Sequence, residues 1–339
     1  MGIWIVVKNE FIRSLKYKKK LMLSIVVPVI AVLAAIIINS LMKPAINIGI
    51  IDNGNTYAYE KFQKNSKSIN GLNINKADNS SINTDMILAK YAVVLEFGEN
   101  NLIKVNCLDE EFKRNIESIV DRYQQTSELT GFQQILQKMQ YESMTVAERS
   151  GGFILLTLII TSTLSACNLI RDKSEGTLRR YLVSPNKPSI YILGTFIYNF
   201  INTVIQIVIS VFVVELLPLD LGISGLQLLC VGLVIALIAT SISCFIVNIC
   251  ASELQAGILG SVIALIMALL GGAFLPLNKM PNILVYLSNA TVTKWIINFI
   301  QELQQGILNM NSMIPLIILC STSLIIIILS CQIGKRKFV

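Results

Sequence analysis

Long apolar runs separated by short charged ones make up most of this chain. Six such runs lie at Leu21–Leu41, Gly151–Ile170, Ser189–Val214, Leu226–Ile249, Gly257–Phe274 and Met313–Ile333. Each approaches the roughly 20 residues a helix needs to cross about 30 Å of hydrocarbon. Ahead of the first run, Ile3, Val7, Phe11 and Leu15 recur every four residues, while Asn9, Glu10, Arg13 and Lys16 fall elsewhere. That spacing predicts an amphipathic helix on the membrane surface. Lys16, Lys18, Lys19 and Lys20 anchor the start of the first span, and Pro28 predicts a local kink within it. The run is too long for a cleaved signal segment and has no small-residue cleavage site at its end.

Residues 43–149 break the pattern: Asn, Ser, Lys, Asp and Glu dominate, and apolar runs shorten to a few residues. Ala45–Ile51 and Tyr91–Phe97 read as strands. Asp109 reads as the N-cap of a helix with Glu110 and Glu111 in its first turn and Phe112, Ile116, Ile119 and Tyr123 on its buried face. Near the other end, Pro276–Leu308 is moderately apolar but broken by Pro276, Pro281 and Gly306, so it predicts a re-entrant or interfacial pair of short helices. The fold expected is a polytopic α-helical membrane protein, with six transmembrane helices and a small α+β extracytoplasmic domain between helices one and two. Its parts are a cytoplasmic elbow helix (1–20), a first span (21–42), the extracytoplasmic domain (43–149), a five-helix transmembrane domain (150–334) and a basic tail (335–339). The five-helix part contains a charged loop (171–188) and an outer segment (275–309).

Composition agrees with a membrane protein: 53% of residues are apolar, 14% are charged and the mean hydropathy is +0.64. The chain has no histidine, which excludes imidazole chemistry. Of the seven cysteines only Cys107 lies in the large polar segment, so that segment holds no internal disulfide. The net charge of +7 sorts by side. Segments assigned to the cytoplasm carry 14 basic residues against four acids, and the opposite side carries 14 against 17. The basic balance is therefore a topology signal, with no nucleic-acid patch behind it. It predicts a multi-pass protein with both termini cytoplasmic. The heavy use of Ile, Asn and Lys points to an AT-rich bacterial genome, hence to a bacterial cytoplasmic membrane.

No Asp, Glu, Lys or Arg lies centrally in a span, which disfavours an ion-coupled pathway. The third span carries a polar stripe of Thr195, Asn199, Asn202, Gln206 and Ser210, and the second a weaker one of Thr157, Thr161 and Asn168. Such stripes serve either interhelical hydrogen bonding or a solvated pathway or interface. Gly260, Ala264, Ala268 and Gly272 place small residues every four positions on the fifth span, suited to close packing within the chain or to a dimer contact. No phosphate-binding glycine loop or nucleophile elbow is present, and Asp109, Glu110 and Glu111, which could hold a metal, are better explained as a helix first turn, so no catalytic, cofactor or metal residue is assigned.

The charged loop carries the most specific pattern. Arg171 to Pro188 reads RDKSEGTLRRYLVSPNKP. With Glu175, Gly176, Thr177, Leu178, Arg179, Pro185 and Gly194 it resembles the signature loop of type-2 ABC exporter permeases. Gly194 is followed by Thr195 where that family often has Lys. A second segment, with Phe274, Pro276, Met280 and Pro281, is similar to the family's Phe-Pro…Met-Pro segment, although a further Pro near Ala290–Thr293 is missing. The resemblance implies that the loop docks as a coupling helix on a separate ABC ATP-binding subunit through Glu175, Gly176, Thr177, Leu178, Arg179 and Arg180. The short loop Ile249–Gly257, with Glu253, would be a smaller second contact. The alternative for the basic residues is that they only fix topology.

The same resemblance implies that ATP and Mg bind on the partner and not in this chain. It also implies a second permease copy or a similar permease, and surrounding membrane lipids. The implied role is ATP-driven export of a lipophilic or amphipathic cargo (a drug, an antimicrobial peptide or a lipid), hence efflux and resistance. The alternative is a permease-like scaffold or receptor whose ectodomain senses or assembles envelope components. A neighbouring gene for an ATP-binding cassette discriminates the two.

Overall fold

The computed structural model describes residues 2–41, 46–52, 56–66, 69, 71–78, 82–87, 90–98, 103–107, 110–126, 130–141, 144–183, 188–217, 221–306 and 313–338. Ala45, Asp109, Pro185 and Lys187, named above, lie outside these residues. In chain order the elements are α1 (Gly2–Lys16), α2 (Lys18–Leu41), β1 (Ile46–Asp52), α3 (Thr56–Ser66), β2 (Leu72–Lys76), α4 (Ile82–Ile87), β3 (Val93–Phe97), β4 (Ile103–Asn106), α5 (Glu110–Thr126) and α6 (Thr130–Tyr141). They continue with α7 (Val146–Ala166), α8 (Asn168–Ser174), α9 (Thr177–Val183), α10 (Pro188–Glu215), α11 (Gly225–Ile249) and α12 (Glu253–Leu270). After these come α13 (Asn282–Ser288), α14 (Val292–Gln304) and α15 (Met313–Phe338). The chain divides into two compact units, Leu41–Met144 and the remainder.

The Leu41–Met144 unit holds a four-stranded sheet in the order β2-β1-β3-β4. β1 runs parallel to β2 and β3, pairing Ile46 with Leu72 and Ile50 with Leu95, while β3 runs antiparallel to β4, pairing Leu95 with Val105. Side chains alternate across a strand, so Ile46, Ile48 and Ile50 face one side and Ile51 the other. The first face closes over Phe62, whose ring meets those of Tyr123, Phe97 and Phe132 edge-on at 5.2, 5.8 and 6.3 Å. From α5, Ile116, Ile119 and Tyr123 are buried there and Phe112 packs at the margin. Ile51, Met86, Tyr91 and Val94 form a smaller core on the opposite face. Two strands, β2 and β4, escape the apolar pattern because LNINK and IKVN place Asn and Lys at their outward positions.

In the other unit six helices, among the described residues, are long and apolar enough to cross a membrane. α7 and α11 form its centre: Leu155, Leu158 and Ile159 of α7 and Ile235, Ala236, Ile238 and Ala239 of α11 are fully buried. α12 lays Gly260, Ala264 and Ala268 against α7, where a Cβ on Gly260 would sit 2.9 Å from Thr163. The small-residue face is thus filled within the chain. Gly272 is not part of it: α12 ends at Leu270, and Gly272 turns with φ +96. Between α12 and α15, α13 and α14 meet at 89°.

Several boundaries differ from the sequence reading. α1 and α2 break at Tyr17, so Lys18–Lys20 form the first turn of the membrane helix and do not end the elbow. The helical backbone continues through Pro28. α12 starts at Glu253 on an N-cap from Ser252, whose hydroxyl accepts from Gln255 N at 3.2 Å, so the loop assigned to Ile249–Gly257 contracts to three residues. The basic tail continues α15 as helix to Phe338. Arg149, counted with the polar domain, is a buried residue of α7 whose Nε donates to Asn39 Oδ1 of α2 at 3.2 Å.

Candidate functional site

The charged loop folds as two short helices joined by Glu175 and Gly176. α8 ends at Ser174 with Glu175 as its C-cap, Gly176 takes φ +73, and α9 begins at Thr177. A left-handed residue here lets the chain reverse without the Cβ clash that other residues meet. Leu178 is 2% exposed and joins the central core. Glu175, Arg179 and Arg180 point outward, and Gly176 and Thr177 are half-buried between. Tyr181 stacks edge-on against Tyr191 of α10 at 5.1 Å. One apolar anchor holds the turn against the bundle, with charged side chains outward on either side.

Behind the turn lies a buried ionic network that the sequence reading did not find. Glu10 is 4% exposed and Asp172 is fully buried. Arg13 of α1 lies between them. Its Nη1 donates to Glu10 Oε1 at 3.1 Å and to Asp172 Oδ2 at 3.2 Å, and its Nη2 donates to Asp172 Oδ1. The Tyr191 hydroxyl donates to Asp172 Oδ2 at 2.6 Å. Asn168 Nδ2 donates to Glu10 Oε2 at 2.9 Å, and Lys20 Nζ donates to Asn168 Oδ1 at 3.4 Å. The elbow helix α1, the first span α2, the charged turn and α10 are therefore joined by hydrogen bonds at one point. Burial pushes the Glu10 carboxyl above its ordinary range, with Arg13 and Asn168 pulling the other way. The Asp172 hydrogen bond raises Arg13 beyond its already high value, so it stays charged.

Beside this network, Arg171 grips Glu253 at the start of α12 with two bonds, Nε to Oε1 at 2.9 Å and Nη2 to Oε2 at 2.7 Å. Glu253, the first residue of α12, is thus paired inside the chain, with its side chain 39% exposed.

The polar stripes are partly satisfied within the same chain, with Asn199 Oδ1 and Gln206 Nε2 buried and without a hydrogen bond among the described residues. Thr157 bonds the carbonyls of Phe153 and Ile154 of its own helix. Thr161 donates to Gln206 Oε1 at 3.0 Å, and Asn199 Nδ2 donates to Ser162 Oγ at 2.6 Å. Asn168 belongs to the ionic network, and Asn202 borders a cavity beside it.

The family model of the ABC-2 type transporter matches residues 113–304, more than half of the chain and the whole of the turn just described. This chain belongs to the ABC-2 type transporter family. It is a permease subunit of an ABC transporter and a multi-pass membrane protein. No curated protein matches the chain.

For the permease, the glycine that opens α10 in the family pattern has a packing reason. A Cβ on Gly194 would lie 2.7 Å from Val6 Cβ of the elbow. Close approach of α1 to α10 requires the bare backbone there. The elbow itself inverts an expectation. Its polar pair Glu10 and Arg13 turns toward the bundle with Val6 and Val7, while Trp4, Phe11 and Leu15 are exposed on the other side. A signal for this was present in the sequence: the elbow's single acid stands three residues before a base, and the charged loop is rich in both.

Proposed function

We propose that this permease is the membrane half of an ATP-driven exporter, powered by a separate ATP-binding subunit that docks on the turn Glu175–Arg180. The observation that carries the reading is the construction of that turn. Leu178 is locked in the core, Glu175, Arg179 and Arg180 face outward, and the Arg13–Asp172 network lies directly behind. A push on the turn is delivered at once to α1, α2 and α10. Charged side chains at the rim set registration with a partner surface, while the buried leucine keeps the turn from yielding.

The charge asymmetry supports cytoplasmic termini and a cytoplasmic turn. The absence of a central charge in any span supports a lipophilic or amphipathic cargo over an ion. ATP and Mg belong to the partner in this reading, and a second permease copy or a similar permease completes the pathway. The in-chain bonds of Thr161, Asn199 and Gln206 support a packing role for those stripe residues, although Asn199 Oδ1 and Gln206 Nε2 are left without a bond among the described residues.

The test is a pull-down from native membranes followed by ATPase and transport assays. An ATP-binding subunit is expected to co-purify. Glu175→Ala and Arg179→Ala are expected to leave insertion intact while separating ATP hydrolysis from export. Absence of any ATPase in the pull-down, or unchanged export by both variants, overturns the proposal.

A further inference from the structure

A cavity of about 360 Å³ lies between the elbow α1, the first span α2, and the facing sides of α7, α8 and α10. That volume falls within the roughly 300–1,000 Å³ of small-molecule sites. Its chemistry is graded. At one end stand Lys20, Arg171 and Asn168; at the other stand Val27, Ile160 and Thr161. Along α2, Lys20 and Val27 are seven residues apart, a rise of about 10 Å. The polar end lies at the helix ends and the apolar end within the hydrocarbon. Leu23 and Leu164 line the wall and are also exposed, at 60% and 43%, so the cavity opens sideways.

The charges do not balance in the cavity. Four charged residues line it: Arg13, Lys20, Arg171 and Glu253. Arg171 and Glu253 neutralise one another, and Arg13 is held by Glu10 and Asp172. Lys20 donates to the neutral Asn168 amide oxygen at 3.4 Å; the Glu10 and Glu253 carboxylates act on it from further off, and it forms no ion pair among the described residues. A cation with no carboxylate in direct contact therefore stands at the mouth of an apolar slot that opens toward lipid.

We infer that the cavity is a binding site for an anionic phospholipid, with the headgroup phosphate on Lys20 and one acyl chain lying along Val27 and Ile160. Phosphate supplies a counter-charge in direct contact, through a charge-assisted hydrogen bond. The acyl chain fills apolar volume that no side chain occupies, while the second chain passes out between Leu23 and Leu164. A zwitterionic lipid brings its own cation and gains less from Lys20. A bound lipid here touches the elbow, the first span and the network behind the turn, so its presence stiffens the assembly through which the turn acts. Assignment to the cytoplasmic leaflet rests on the orientation proposed above, but binding itself does not.

The experiment is native mass spectrometry of the full-length protein, titrated in mixed micelles with dioleoylphosphatidylglycerol, with dioleoylphosphatidylcholine, or with inorganic phosphate alone. A single tightly held phosphatidylglycerol per chain is expected, retained over phosphatidylcholine. Lys20→Gln is expected to weaken it about fivefold. Lys20→Arg is expected to retain it, and Val27→Trp, which fills the slot without changing charge, to displace it. Equal retention of both lipids, or equal loss of both in Lys20→Gln, overturns the inference. So does saturation of the site by phosphate alone, or disulfide trapping of Leu23→Cys against a second copy of the chain, which puts protein at the opening. Retention of Lys20→Arg with loss of Lys20→Gln shows that the fold survives the substitution. Failure of the ATPase pull-down leaves these lipid readouts unaffected, so the two proposals fail separately.

Discussion

Arg13→Gln tests the ionic network most directly. The substitution removes three charge-assisted bonds and leaves Asp172, fully buried, with Tyr191 as its remaining partner among those described. Breaking one side of a buried pair costs about 3–5 kcal/mol, because the surviving charge keeps its desolvation penalty. The Arg13 side chain is 25% exposed, and water softens the loss, so the lower end, about 3 kcal/mol, applies. Asp172→Asn removes the opposite charge but keeps an acceptor, and Arg13 retains Glu10; about 1.5–2 kcal/mol is expected. In the double variant neither charge is stranded, so the two losses fall short of additivity by about 1–2 kcal/mol. Thermal unfolding in one detergent, followed by tryptophan fluorescence, reads this as a shift of about 2–4 °C per kcal/mol for a unit of this size. Arg13→Gln should melt roughly 6–12 °C below the wild type on that scale. Strictly additive shifts, or a single-variant shift no larger than that of an exposed pair, refute the network.

Glu10 predicts a pH dependence. Its carboxyl titrates above the ordinary 4.5 because burial disfavours the charged form, so the folded protein binds the proton more tightly than the unfolded chain. The resulting contribution is fully present below pH 4.5 and is lost as pH rises through the folded value, with Arg13, Lys20 and Asp172 as the charges that act on it. Glu10→Gln should flatten the melting temperature between those limits relative to the wild type; an unchanged profile sinks the assignment. Arg171→Gln should cost under about 1 kcal/mol in the same melt, because the Arg171 and Glu253 side chains are 34% and 39% exposed. Gly194→Val should detach the elbow by driving a side chain into Val6, exposing α1 to limited proteolysis, and unaltered cleavage counts against close packing. Gly176→Ala should cost about 1–2 kcal/mol through φ alone, since no atom lies within 4 Å of the new Cβ.

The spans were legible because hydrocarbon imposes a long, simple rule on sequence, and the family was legible because Glu175–Arg179 and Pro276–Pro281 keep a fixed order. What escaped depends on contacts between distant residues. β2 and β4 carry too few apolar side chains to announce themselves, and they are strands because β1 and β3 pair with them. Glu10 and Arg13 read as the wet side of a surface helix. Only their approach to Asp172, some 160 positions later in the chain, turns them inward. Glu253 read as a loop residue because its partner Arg171 sits on another element. Gly272 fitted a four-residue spacing that the helix had already ended. Periodicity describes a helix in isolation and is silent on which of its faces a later helix will claim.

The hydroxyls of α7 bear on how the chain is made. Of the helices that cross, α2 is the most apolar and among the least buried, and it can partition into lipid as it leaves the translocation channel. α7 is largely buried and carries Thr157, Thr161 and Thr163, and the partners of the last two, on α10 and α11, are synthesised later. Yet Thr157 and Thr163 also return a bond to the carbonyl four residues back, at 3.0 and 2.7 Å. Those local bonds shield the hydroxyls while the helix waits in hydrocarbon. When Gln206 and Ser243 arrive, Thr161 and Thr163 have only to add a second partner. Replacing these threonines with asparagine, which has no such local shelter, would burden insertion before it disturbed the finished fold.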